Sequence, residues 1–325
     1  MFRQTFFEIK CCVISKKHLY LSSMDRKSRS ILLLILAMFA WGSLYPVSKY
    51  IMTEASPLTI SFLRYLFGIA AITPLFIIDF VKNRNQLSAN DYLSFSAAGV
   101  LGVSLFALLL FFGIKLSTAS NGSIIANTQP IFTAVLAPII IKEAITKSQI
   151  TGIAAGLAGM ILVITGGHLS GGGNSAMLLG NLLLCGAALS MSVYSIILKK
   201  PIRRIGSLIP TYISMLAGTI LLFIVNIFSG SFFSDLRMLT KPSDILLILY
   251  LGCAATALPY LLFNNALKHI DVIKATGFKF LIPVSGVSLS IIFLSERPEF
   301  AVYAGIIIVI LSVFLIQRSP KRDSD

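Results

Sequence analysis

Charge is scarce in this 325-residue chain, and negative charge scarcest. Asp and Glu number 13 against 27 Lys and Arg, and together they make up 12% of the sequence. A soluble domain carries roughly 25%, so a soluble two-domain enzyme is excluded. Histidine and cysteine are also sparse. The four cysteines (Cys11, Cys12, Cys185, Cys253) lie in the N-terminal stretch and in apolar segments, which excludes a disulfide framework and a CxxC metal site. His18, His168 and His269 lie far apart, without the spacing of metal ligands. GxSxG, HExxH and Walker A patterns are missing. The Gly171-Gly172-Gly173 run is followed by no lysine and reads as a flexible linker. Neither a cofactor nor a metal is expected.

Apolar residues are abundant: 56% of the chain, with a mean hydropathy of +0.87. They fall into ten stretches, at about 31–51, 58–78, 93–114, 118–141, 148–166, 177–198, 208–228, 244–266, 271–294 and 300–317. Each is near the ~20 residues that cross a ~30 Å hydrocarbon core at 1.5 Å per residue. Alternating runs of ~10 residues, which a membrane barrel needs, are not seen. The expectation is an all-α integral membrane protein whose partners are the lipid bilayer and a small-molecule substrate.

The basic residues orient these spans. With the N-terminus in the cytoplasm, 20 of the 27 Lys and Arg fall inside and 5 outside, while Arg64 and Lys279 lie within spans. This imbalance places both termini in the cytoplasm, with the protein in the plasma (inner) membrane. The net charge of +14 then reports basic loops, and no nucleic-acid partner is expected. Residues 1–30 read as a cytoplasmic tail. Within it, residues 1–23 precede a second methionine, Met24, and read as an over-called start or a disordered tail. The apolar run there is too short for a signal peptide. Residues 318–325 form the other tail. A homodimer stays open.

The chain also repeats itself. At a shift of 153 residues, Pro57, Ile60, Ser61 and Leu63 fall on Pro210, Ile213, Ser214 and Leu216. At the same shift Gly99 falls on Gly252, Pro130 on Pro283 and Glu143 on Glu296. Span one matches span six better at a shift of 150, which puts Lys49 on Lys199. Residues 31–166 and 177–317 are thus two five-span repeats joined by a linker at 167–176. Five is odd, so the two repeats cross the membrane in opposite senses. Inverted repeats of this kind are an architecture of secondary transporters, with substrate sites near the midplane between the repeats. Alternating access is expected to rock one five-span half against the other.

With Trp41-Gly42-Ser43 and Lys49 in span one, Pro57 and Arg64 in span two, and the paired stretches Pro130–Glu143 and Pro283–Glu296, the chain resembles the EamA-type ten-span permeases of the drug/metabolite transporter superfamily. The likeness runs over about 31–317. It departs where Met191 stands in place of the tryptophan expected in span six. The resemblance implies transport of small metabolites, such as amino acids or amphipathic compounds, usually outward. Import of an anionic or phosphorylated metabolite is the alternative. A membrane enzyme would need acid and histidine clusters at the interface, and a sensor would need an extramembrane domain; neither is visible.

No acidic residue sits mid-span, so proton or cation carriage by a buried carboxylate is not expected. Arg64 lies about seven residues, or ~10 Å, inside span two, and its partner at a shift of 153 is Ala217. It reads as a ligand for a substrate carboxylate or phosphate, or as a snorkelling or carbonyl-bound gate residue. Lys279 has Ala126 as its partner and precedes Pro283 by four residues. Proline removes the N–H that would bond the carbonyl of residue 279. An ammonium in hydrocarbon is costly, so Lys279 should face a cavity; the alternative is a lysine held by carbonyls across the bundle. Trp41, Tyr45, Asn127, Gln129, Tyr194, Tyr260 and Asn264 are further substrate candidates, or else interhelix hydrogen-bond partners. Pro130 and Pro283 read as kinks at gates. Gly152 and Gly156 read as a helix-packing surface.

Overall fold

The computed structural model describes residues 25–52, 54–116, 125–165, 175–285, 289 and 300–318. The linker core at 166–174, the two tails beyond these limits and Glu296 lie outside the described residues, as do the side chains of Tyr45 and Lys49. Every regular element among the described residues is helical, and none is a strand.

The helices follow the apolar stretches. They are α1 (Arg26–Ile51), α2 (Pro57–Asn83), α3 (Ala89–Leu116), α4 (Gln129–Ile140) and α5 (Lys147–Thr165) in the first repeat. The second repeat holds α6 (Ser175–Ile205), α7 (Leu208–Phe228), α8 (Pro242–Ala266), α9 (Val272–Gly277, continuing through Phe280 to residue 285) and α10 (Phe300–Gln317). Five of them, α2, α3, α6, α7 and α8, are by length and composition alone able to cross a membrane. Starts are set by capping side chains. Asp25 accepts the Ser28 N–H at 3.1 Å, and Ser56 accepts that of Thr59 at 3.3 Å ahead of Pro57, which needs no donor in the first turn.

The two repeats are inverted. The first turn of α2 binds Asp235 through the Ser56 N–H at 3.1 Å and the Thr59 hydroxyl at 2.7 Å, so it shares one end of the bundle with the segment after α7. The corresponding helix α7 starts at the other end. There Arg203 pairs with Asp271 at 3.3 Å and Arg204 with Asp91. This second end is called the basic end below. Helix packing obeys the same two-fold relation: α2 lies on α7, α5 on α10, α3 on α6, and α1 on α8. Helices α3 and α8 each contain a π-helical turn, Val100–Leu105 and Cys253–Ala257, whose first residues are 153 positions apart.

Close glycine contacts correct the register of one helix pair. A Cβ on Gly99 would lie 2.0 Å from the Ser214 carbonyl oxygen, and one on Gly252 would lie 2.8 Å from that of Arg64. A Cβ on Gly218 would meet the Gly99 carbonyl at 2.6 Å, and one on Gly68 the Gly252 carbonyl at 2.9 Å. The equivalent of Arg64 in α7 is therefore Ser214, at a shift of 150, and not Ala217. A three-residue slip is close to one helical turn, which an apolar pattern tolerates. The charge is unmatched in either register.

The sequence repeats are not the packing units. Helices α1 and α2 of the first repeat pack on α8 of the second, and α1 also meets the Phe278–Phe280 turn of α9. In mirror fashion, α6 and α7 pack on α3, and α6 on α4. The molecule therefore has two mixed bundles, α1-α2-α8-α9 and α6-α7-α3-α4, which meet chiefly along α2 and α7 and at α4 and α9. The two repeats therefore interlock, and neither packs as a body separate from the other. The pair α5 and α10 stands beside them, where Gly156 leaves no room for a Cβ against Phe280 and Ser312.

Candidate functional site

The first ring of the site is aromatic. Trp41 of α1 packs edge-on to Tyr260 of α8 with ring centroids 5.6 Å apart, and at the same distance from Phe263. Tyr260 also lies against Tyr65 of α2 (6.1 Å) and Tyr194 of α6 (5.8 Å). The α8 residues present one face because 260 and 263 are three apart on a helix. Around this ring, Trp41, Leu44, Arg64, Tyr65, Phe106, Leu110, Ala126, Asn127, Met191, Thr256, Tyr260, Lys279 and Ile282 line a cavity. It is built from both bundles, and none of the described lining residues is acidic.

Two cations reach this cavity. Lys279 lies in the turn Phe278–Phe280 that breaks α9 ahead of Pro283. It is 5% exposed, and its Nζ stands 4.5 Å from the centroid of the Trp41 ring and 5.0 Å from that of Phe263. Among the described residues no carboxylate or carbonyl bonds it, so cation–π attraction is what holds it. Ala126, its repeat partner, lines the same cavity. Arg64 is 2% exposed. Its Nη2 donates to the Tyr65 hydroxyl at 3.2 Å, the guanidinium lies 4.6 Å from the Tyr65 ring centroid, and Nε is buried without a partner.

The hydrogen bonds leading away from Arg64 have a fixed direction. Tyr260 donates to the Gly102 carbonyl at 2.9 Å, which uses its one proton. The 3.1 Å contact between the Tyr65 and Tyr260 hydroxyls therefore has Tyr65 as donor. Tyr65 in turn accepts from Arg64. The chain Arg64, Tyr65, Tyr260, Gly102 crosses from one bundle to the other and ends in the π-turn of α3.

Of the sequence candidates, Trp41, Arg64, Asn127, Tyr260 and Lys279 line the cavity. Gln129, Tyr194 and Asn264 are buried behind it and tie helices together. Gln129 Nε2 donates to the Met191 carbonyl (3.1 Å) and Ser195 hydroxyl (2.9 Å). Asn264 Nδ2 reaches the Tyr194 hydroxyl (2.8 Å) and that of Thr211 (2.7 Å). Pro130 occupies the first turn of α4 and is not inside a continuous helix, so its missing N–H costs no hydrogen bond there. Pro283 lies within the helical stretch that follows the Phe278–Phe280 turn. Tyr65 and Thr256 are lining residues that the sequence did not single out, and Met191, which stood out only as a departure from the family pattern, lines the cavity too. A tyrosine beside an intramembrane arginine and a lone hydroxyl in an apolar run were the available signals.

Carboxylates seal both ends of the bundle from outside the spans. At the basic end Glu143 accepts the N–H groups of Val272 (3.0 Å) and Ile273 (2.9 Å) at the start of α9. The chain turns toward them through Lys142, which adopts a left-handed φ of 58° where glycine is usual. Burial pushes the Glu143 carboxyl above its ordinary value, and those two N–H bonds only moderate the shift. At the opposite end burial pushes Asp235 the same way. Bonds from Ser56, Thr59 and Ser231 outweigh it and hold Asp235 below the ordinary range.

The sequence model of the EamA-like transporter family matches residues 28–165 and 178–318. Among similar proteins, an uncharacterized transporter of Clostridium kluyveri is 27% identical, covering 83% of this chain and 86% of its own length. The uncharacterized transporter YyaM of Bacillus subtilis is also 27% identical, over 90% of this chain and 96% of that protein. A probable terminal-alkyne amino-acid exporter of Streptantibioticus cattleyicolor is 23% identical over 90% and 94%. A solved crystal structure shares the fold, with a TM-score of 0.70 at 17% identity over 89% of this chain and 96% of that one. These relatives are named as transporters, not as enzymes.

Proposed function

Because the chain belongs to the EamA-like transporter family, we propose that it exports a small metabolite bearing an anionic group, by alternating access around the cavity between the mixed bundles. The observation that carries this reading is the pair of cations, Lys279 and Arg64, in one cavity without an acidic lining residue. Each costs free energy in hydrocarbon, and among the described residues neither has a charge partner. An anionic group entering the cavity supplies one. Trp41, Tyr260 and Asn127 form the walls against which the rest of the substrate lies. Gln129, Tyr194 and Asn264 position that wall from behind.

The substrate is an amino acid or an amphipathic organic acid, and the exporter name carried by one relative supports the outward direction. Import of an anionic or phosphorylated metabolite is the second reading, favoured by the presence of both cations on one cavity. The basic end faces the cytoplasm of a plasma-membrane protein, because 20 of the 27 Lys and Arg fall on that side. Residues 31–166 and 177–317 are the two repeats, and 167–176 link them outside. Comparing metabolites of medium and cytosol between cells with the protein, cells without it and cells with Lys279→Met tests the reading. A compound accumulating outside only with the wild-type protein is expected; identical profiles in all three overturn it.

A further inference from the structure

A hydroxyl in the cavity wall is left without a partner. Thr256 is 1% exposed, lines the cavity, and its Oγ1 is buried with no hydrogen bond. Other buried helical threonines of this chain do not behave so. Thr133, Thr211, Thr219 and Thr276 each bond the carbonyl four residues earlier, at 3.0, 2.6, 2.7 and 2.9 Å. Thr256 lies in the π-turn of α8, where the wider winding removes that carbonyl from reach. Burying an unpaired hydroxyl is unfavourable, and the inverted repeat shows that the fold does not require one. Position 103 is the equivalent of 256 at a shift of 153 and occupies the same π-turn of α3. It holds valine, which is isosteric with threonine, and Val103 is fully buried.

Three of the polar groups that line this cavity have no counterpart of the same chemistry in the other repeat: Arg64, opposite Ser214; Lys279, opposite Ala126; and Thr256, opposite Val103. Two are cations. The third is a hydroxyl whose proton is unspent. We propose that Thr256 is a substrate-contacting, specificity-determining residue, donating its hydroxyl to the anionic group that Lys279 and Arg64 attract. This rests on the anionic-substrate reading above. A hydroxyl adds direction where a cation alone supplies attraction, so Thr256 selects among anions by the placement of an acceptor oxygen.

The test needs no knowledge of the natural substrate. Thr256→Cys is placed in a chain whose native cysteines are replaced by alanine, and the purified protein in detergent is treated with methanethiosulfonate reagents. One reagent carries a sulfonate and the other a quaternary ammonium of similar size. The expected result is modification at least tenfold faster by the sulfonate, with the preference lost when Lys279→Met is added. Absence of modification by both reagents, or faster reaction with the ammonium, overturns the proposal. A sulfonate preference that survives Lys279→Met removes the role of Lys279 and leaves Thr256 in place. Thermal unfolding gives a second criterion: Thr256→Val, which removes an unpaired hydroxyl at constant shape, is expected to raise Tm by a few degrees. A lowered Tm would mean that the hydroxyl has a structural partner, and would equally overturn the proposal.

Discussion

The Lys279 ammonium rests 4.5 Å from the centroid of the Trp41 ring, on a helix from the other repeat, with no carboxylate among the described residues paired to it. A cation over an aromatic face is worth about 2 kcal/mol when desolvated. That roughly offsets the ~2.5–3.5 kcal/mol of placing it in a membrane interior, and leaves the ammonium free to bind.

Lys279→Met keeps length and removes charge. It is expected to abolish transport while leaving Tm unchanged or raised, and Lys279→Arg should retain part of the activity. Export measured alongside thermal unfolding checks both. Normal transport by Lys279→Met, or its failure to fold, would make the lysine structural.

Tyr260→Phe breaks the directed chain in its middle. The Tyr65 hydroxyl loses its acceptor and the Gly102 carbonyl its donor, which should cost ~1–3 kcal/mol of stability. Tyr65→Phe leaves the Tyr260–Gly102 bond intact but removes the acceptor of the buried Arg64 guanidinium, a charged donor, and should cost more. Chemical or thermal unfolding of both variants orders them; a smaller loss in Tyr65→Phe would refute the assigned chain.

Gly99→Ala puts a Cβ 2.0 Å from a backbone oxygen of α7, where nothing flexible can yield. Loss of folded protein from the membrane is expected. A Cβ on Gly186 would meet only the side chain of Leu109, at 3.2 Å, and Gly186→Ala should be tolerated. Fluorescence-detected size exclusion distinguishes the two.

The two end carboxylates should give stability opposite pH dependences. Asp235 has a depressed folded value, so its contribution is present above the unfolded value of about 4 and is lost as pH falls below it. Asp235→Asn should flatten that acid limb. Glu143 has a raised folded value, so its contribution is present below the ordinary glutamate range and is lost as pH rises through it. Glu143→Gln should remove that loss. Unfolding of both variants across pH 3 to 7 tests the signs, and parallel wild-type-like curves would contradict them.

Single cysteines test the orientation of the bundle. In a cysteine-free background, a membrane-impermeant thiol reagent added to intact cells should label Ser234→Cys and should miss Arg84→Cys and Arg203→Cys. Labelling at position 203 from outside would reverse the assignment.

Much of this architecture is legible in sequence because membranes demand long apolar runs and asymmetric loops. The spans, the inversion and the two intramembrane cations all follow from it. Helix rotation is harder to read in a segment apolar all round. Gln129, Tyr194 and Asn264 therefore look like cavity residues until their amides and hydroxyls are seen bonded behind the wall. Register suffers likewise, since a slip of one turn puts Ala217 where Ser214 belongs, and only glycine contacts such as Gly68 on Gly252 decide it. Thr256 was hidden for another reason. A lone threonine in a helix ordinarily bonds its own backbone, and the π-turn that prevents this leaves no mark in composition.

The mixed bundles also bear on how the chain is made. Helices α1 and α2 are synthesised long before α8 and α9, on which they pack. Neither bundle can therefore be completed until helices of the second repeat have been made. A ribosome stalled between the repeats would leave five inserted helices with neither bundle complete.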